Sequence, residues 1–197
     1  MRVILASKSP RRREILATFG VQFEIMSADA DESSTITDPA QLVRELALRK
    51  ARAVRDLLRN AGEWNDDTLI IASDTVVAND GEILGKPRDD ADAARMLRAL
   101  SGKTHHVLSG IALLSGEREA VDFDSTAVRF AEMSEKDIAW YVKTKEPQDK
   151  AGAYAVQGLA GLWVQGIDGD YFNVVGLPVF RLNALLVSFL GKNLAQL

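Results

Sequence analysis

The chain has no cysteine. That excludes disulfide scaffolds, thiolate metal sites and thiol nucleophiles, and it suits a reducing cytoplasm. Histidine is nearly as scarce, with two residues adjacent at His105 and His106. On a strand these two point to opposite faces, so a paired-histidine metal site is not expected. No apolar run approaches the roughly 20 residues that span a bilayer, and the short apolar stretch behind Arg2 is too brief for a signal peptide, so neither a membrane segment nor a leader is expected. An excess of positive charge is missing too. The net charge is −4, and no basic stripe is interleaved with aromatics, which disfavours nucleic acid as a partner. Gly102-Lys103-Thr104 has Leu97 where a phosphate loop needs its first glycine, and it ends a helix instead of opening one, so that motif is rejected. Repeats and low-complexity segments are absent. What is present is 47% hydrophobic content over 197 residues, enough for one substantial core, and a single domain over 1–197 is expected.

The most informative stretch is Leu5-Ala6-Ser7-Lys8-Ser9-Pro10-Arg11-Arg12-Arg13. A short apolar strand runs into a polar turn, and Pro10 stands where a helix begins, with Ser9 as its N-cap. Clustered cations at a helix N-terminus repel the dipole unless an anion lies against them, and a phosphate is the economical choice. Arg12 falls on the side of Ile15 and Leu16. It is read either as a phosphate contact or as an arginine covering apolar surface.

Further along, Val21, Phe23 and Ile25 alternate as a strand and lead to an acidic loop, residues 27–34, that is either solvated or ligand-holding. A helix is predicted over Pro39 to Asn60 with Asp38 as cap. Leu42, Val43, Leu46, Ala47, Ala51, Val54, Leu57 and Leu58 form its apolar stripe, and Lys50 lies in the middle of it. An inward lysine must meet either a core carboxylate or a ligand's phosphate. Residues 68–78 read as a central strand buried on both faces, interrupted by Asp74. That aspartate is a satisfied buried group, a metal ligand or a general base. Asn79-Asp80-Gly81 turns the chain into a segment that brings Lys86 near the same strand.

Helices are also expected over Asp89 to Leu100, from the capping box of Ser134 and Asp137, and from Pro178 onward. Strands are expected from His105 to Leu113 and from Ala120 to Phe130, with a hairpin of Leu162–Gln165 and Tyr171–Val175 around Asp168-Gly169. Between them, residues 146–158 are rich in small side chains. Gln157 there offers donor and acceptor together, as the edge of a nucleobase requires, or else belongs to a plain connection before a strand.

Ala6-Ser7-Lys8-Ser9-Pro10-Arg11-Arg12, Ser73-Asp74-Thr75-Val76-Val77, Gly85-Lys86-Pro87-Arg88 and Asp149-Lys150-Ala151-Gly152-Ala153-Tyr154 with Gln157-Gly158 occur together and in order. In these motifs the chain resembles the Maf family of nucleoside triphosphate pyrophosphatases over nearly its whole length. The resemblance implies an α/β fold, a long twisted mixed sheet flanked by helices with two lobes around a central cleft, and a homodimer. It also implies hydrolysis between the α- and β-phosphates with Mg2+ or Mn2+.

Carried onto these positions, the resemblance makes Asp74 the proton acceptor and associates Arg11, Thr75 and Gln157 with substrate choice. Ser7, Arg12, Glu32, Lys50 and Lys86 become polar positions of the site. Asp74 and Glu32 are the expected metal ligands, although Asp29 and Asp31 share the acidic loop. Gln157 resembles the branch acting on dTTP and UTP, where the 7-methyl-GTP branch carries an acidic residue. The other readings are a broad house-cleaning pyrophosphatase for non-standard nucleotides and a nucleotide-binding regulator of cell division.

Overall fold

Asp38 and Pro39 open the longest helix where the capping pattern places it. In the computed structural model, which describes residues 1–197, the Asp38 carboxylate accepts from the Gln41 N–H at 2.9 Å. The elements in order are β1 (Arg2–Leu5), α1 (Pro10–Thr18), β2 (Glu24–Ile25), α2 (Pro39–Asn60), β3 (Thr68–Asn79), β4 (Glu82–Leu84), α3 (Asp90–Leu100), β5 (Thr104–Ser115), β6 (Arg118–Phe130), α4 (Glu135–Lys143), β7 (Val164–Asp168), α5 (Tyr171–Val175) and α6 (Val179–Leu190). Seven strands form one mixed sheet in the order β2-β1-β3-β5-β6-β7, with β4 beside β3. β1 runs parallel to β2 and β3, whereas β4 and β7 pair antiparallel with β3 and β6. This is the α/β class with a mixed, helix-flanked sheet that the motifs imply. No helix is long and apolar enough to cross a membrane.

The chain divides into two compact units, residues 1–74, 109–124 and 176–197 in the first and residues 75–108 and 125–175 in the second. Each has its own core. In the first, Ile4, Ala47, Ala51, Val54, Leu58, Ile70 and Leu114 pack together. In the second, Val77, Leu97, Val107, Phe130, Ile138 and Tyr141 do so. Burying each large aliphatic side chain removes it from water at a gain of roughly 1.5–3 kcal/mol.

The stripe on α2 buries as spaced, except Leu57, which is exposed. Leu58 continues the line of Ala47, Ala51 and Val54, and its neighbour is turned about 100° away. Among the helix's other cations, Arg52 and the half-buried Arg55 share Glu119, and Arg59 pairs with Glu117.

Three expectations change. β2 shrinks to Glu24–Ile25 because only two residues find partners on β1. β6 starts at Arg118, two residues early, since Gly116 at φ 56° turns the chain at once. The hairpin around Gly169 does not form. Val164–Asp168 pairs with β6 instead, and Tyr171–Val175 is helical. Asp170 explains the switch: its side chain accepts from the Phe172 N–H at 2.8 Å and starts a helical turn. That turn delivers the buried Asn173 amide to the Val107 carbonyl at 2.8 Å and to Thr126 Oγ1 at 3.0 Å.

α2 lies directly on β5 at Gly110, where an added Cβ would be 2.2 Å from the Val43 carbonyl oxygen. The obstacle is helix backbone, so it cannot swing aside. Gly110→Ala is expected to destabilise the protein by about 3 kcal/mol or more, read from the midpoint of urea unfolding.

Candidate active site

The site is built in the first unit from the ends of β1 and β3. After Leu5 the Ser7 N–H donates back to the Leu5 carbonyl at 3.0 Å, so the chain reverses sharply into α1. Ser9 occupies the N-cap as expected, but its side chain makes no cap bond. Instead the Ser7 hydroxyl accepts from the Ser9 N–H at 3.2 Å and from Arg12 Nη1 at 3.4 Å. Arg12 Nε donates to the Gly176 carbonyl at 2.7 Å, and the Ser73 hydroxyl donates to the same oxygen at 3.0 Å. Arg12 is therefore turned inward and fixed. Burial lowers its guanidinium below the ordinary value, Asp74 and Glu32 oppose that shift, and Arg11 adds to it.

Lys50, carried inward by the apolar face of α2, forms the centre. Its ammonium donates to Asp74 Oδ1 on β3 and pairs with Glu32 Oε1 at 2.9 Å. Of the two fates the sequence left open for this lysine, a carboxylate partner is the one observed. Glu32 is exposed, yet its loop is held. Arg49 Nη1 donates to the carbonyls of Asp31 at 3.2 Å and Ser33 at 2.8 Å, on either side of Glu32, while its Nε binds Glu45 at 2.7 Å. Asp31 itself accepts from the Ser33 N–H, and the Ser33 side chain together with that N–H lowers its carboxyl below the usual range. Sequence reasoning missed Arg49. Its two acceptors in the acidic loop are main-chain oxygens, which leave no mark in residue identity.

Ser7, Arg11, Arg12, Glu32, Lys50 and Asp74 thus belong to one unit, five of them linked electrostatically through Lys50 and Arg12. Thr75 is half-buried and opens the second unit, which also carries the exposed Lys86 and Gln157. Within that unit the segments bearing the last two are stitched by a bond from the Gly152 N–H to the Gly85 carbonyl at 3.0 Å. Gly152 sits at φ 67°, and a Cβ there would meet Val77 Cγ2 at 2.6 Å. Tyr154 is anchored by His105, whose Nε2 lies 2.8 Å from the tyrosine oxygen. His106, as its neighbour on a strand, points outward.

No group of three or more His, Asp or Glu side chains is arranged to hold a metal. Asp74 and Glu32 do offer two carboxylate oxygens to one cationic position, now filled by the Lys50 ammonium. Hard oxygen donors, few in number and completed by water and phosphate, are the set that Mg2+ or Mn2+ accepts.

The model of Maf-like proteins matches residues 2–189. This chain belongs to the Maf family. A dTTP/UTP pyrophosphatase of Symbiobacterium thermophilum is 49% identical over 188 residues, 95% of this Maf chain and 93% of that protein. A dTTP/UTP pyrophosphatase of Alkaliphilus oremlandii is 46% identical over 195 residues, 98% of each. Among solved structures, the Staphylococcus aureus Ham1 protein aligns with 82% of this chain and 97% of its own at a TM-score of 0.48 and 14% identity, a distant likeness that adds no weight to the family match.

Two measurements probe this Maf site. Burial lowers the His105 imidazole to about 4, with a smaller push from His106. The unfolded chain takes up this proton near 6.5 and the folded one only near 4, so stability should fall as pH drops through that window, by about 3 kcal/mol at most. His105→Gln should flatten that part of the curve. In a double-mutant cycle, Lys50→Met and Asp74→Asn should be non-additive in urea unfolding by about 1–3 kcal/mol, less than for a fully buried pair because both side chains keep some solvent.

Proposed function

We propose that this protein hydrolyses dTTP and UTP to the nucleoside monophosphate and pyrophosphate. The observation that carries the reading is the convergence of Lys50, Asp74 and Glu32 beside the half-buried, inward-turned Arg12, in a chain whose Maf relatives bear that name. A carboxylate pair holding one cation, next to an inward guanidinium, matches the needs of a polyphosphate under attack by water.

Asp74 takes the proton of the attacking water. The water oxygen bonds to the α-phosphorus while the bond from that phosphorus to the bridging oxygen breaks, and the electron pair leaves with pyrophosphate. Arg12, oriented by the Gly176 carbonyl and the Ser7 hydroxyl, neutralises phosphate charge. Lys50 gains phosphate oxygens as partners when the substrate's charge arrives, and Lys86 adds a second ammonium for the polyphosphate. Asp74 and Glu32 would hold Mg2+ or Mn2+, which when bound supplies Lewis acidity at phosphate oxygens and a more acidic water. Gln157 presents a carboxamide, one donor and one acceptor, to the complementary edge of uracil or thymine. Arg11 and Thr75 complete the choice of substrate.

A homodimer in a reducing cytoplasm is part of this reading. It is supported by the lack of cysteine and by Phe180 and Val187, which lie exposed on one face of α6.

Pyrophosphate release measured over a panel of nucleotides should favour dTTP and UTP and should cease when EDTA removes divalent cations. Asp74→Asn should lower kcat by about a thousandfold while the protein still binds UTP. Release at a near-normal rate from that variant would remove Asp74 from the chemistry, and preference for modified bases would point to the house-cleaning activity instead.

A further inference from the structure

Gln157 sits at the tip of a turn in the second unit that nothing in its own side chain could hold still. The Gly158 N–H donates to the Ala155 carbonyl at 3.1 Å, so Val156 and Gln157 are the two central residues, and Gln157 is exposed. The rigidity comes from beneath. Tyr141 on α4 is fully buried, and its hydroxyl uses both of its capacities: it accepts from the Ala155 N–H at 3.2 Å and donates to Glu146 Oε1 at 2.7 Å. The other oxygen of the same carboxylate accepts from the Leu159 N–H at 3.1 Å. Ala155 opens the turn and Leu159 directly follows its last residue, so one chain of bonds runs from the first, through Tyr141 and Glu146, to the second.

Three further observations show that this is a fitted device. A Cβ at Gly158 would fall 2.3 Å from Glu146 Oε1, so the carboxylate lies flush against the backbone of the turn. Glu146 is itself placed by the left-handed Lys145 (φ 64°) and by its N–H bond to Thr144 Oγ1 at 3.2 Å, whose hydroxyl in turn donates to the Tyr141 carbonyl at 2.6 Å. Burial and the bond to Glu146 both raise the Tyr141 hydroxyl above its ordinary value, which keeps it a donor at any physiological pH.

We propose that Tyr141 and Glu146 are positioning residues for substrate choice: they clamp the 155–159 turn and thereby hold the Gln157 carboxamide where it meets the base. Neither residue touches the nucleotide. The inference rests on the pyrophosphatase reading and on Gln157's part in it. A misplaced amide costs discrimination more than chemistry, because the reacting phosphate is gripped by other groups. Deleting the Tyr141 hydroxyl leaves its ring packed against Trp163 while freeing the Ala155 N–H and cutting the link to Glu146.

The test compares the full-length wild type with Tyr141→Phe, Glu146→Gln and Gln157→Ala. Hydrogen exchange followed by mass spectrometry should show lost protection in peptides covering 154–160 for the first two variants. Their preference for UTP over CTP and ATP, as the ratio of kcat/KM values, should fall by about tenfold, chiefly through KM, with kcat on UTP kept within about threefold. Gln157→Ala should lose the same preference without the change in exchange. Unchanged exchange in Tyr141→Phe overturns the clamp. Raised exchange with intact preference overturns its role in selection, as does an equal loss on every nucleotide accompanied by a lower melting temperature. If Gln157→Ala keeps the preference, the inference fails while the pyrophosphatase function stands. If the wild type releases pyrophosphate from neither UTP nor dTTP, the proposed function fails, and the inference with it.

Discussion

The structure of the first unit turns on one ammonium group set in an apolar stripe. Lys50 is delivered to Asp74 and Glu32 by the same helical face that packs Ala47, Ala51 and Val54 into the core. An ion of either sign in such a place needs a partner. A pair of opposite charges about 4 Å apart gains on the order of 4 kcal/mol at an effective dielectric near 20, before desolvation is subtracted. Two carboxylates around one lysine leave the group one negative charge in excess, and Arg12, held nearby by neutral acceptors, offsets it. The arrangement is balanced without a ligand, and under the proposed function it exchanges partners when a polyanion and a hard cation arrive together. That is the property a phosphate-cleaving site requires.

Much of the fold was legible because it follows from periodicity and caps. The bounds of α2 and its Asp38 cap, the capping box on α4, the Asn79–Glu82 turn and the doubly buried β3 all rest on local rules that the tertiary structure did not override. The errors were also local in origin. Tyr171 to Val175 is rich in aromatic and β-branched residues, as strands are, and the bond from the Phe172 N–H to Asp170, with the buried demand of Asn173 for two acceptors, makes it a helix. Leu57 was counted with the stripe because adjacent leucines cannot be separated by spacing alone.

The site was legible in part. Side chains that conflict with their surroundings stand out in a sequence: an aspartate in an apolar strand, a lysine on an apolar face, arginines at a helix start. The structure places those of the proposed site, Arg11, Arg12, Lys50 and Asp74, in the first unit. Arg49, Tyr141 and Glu146 conflict with nothing. An arginine on a solvated helix face and a tyrosine among apolar neighbours look ordinary, and their parts emerge only from which backbone atoms they reach.

Those backbone acceptors have a consequence for how such a protein drifts over time. The Asp31 and Ser33 carbonyls gripped by Arg49 persist whatever side chain their own residues carry, whereas the Gly176 carbonyl that orients Arg12 depends on a backbone at φ 123° that favours glycine. The acidic loop is therefore free to exchange its side chains, testing new carboxylate placements, while its path stays anchored. Variation is channelled into the positions that meet the ligand and kept out of those that carry them, so one scaffold can try different nucleotides without first learning to fold again.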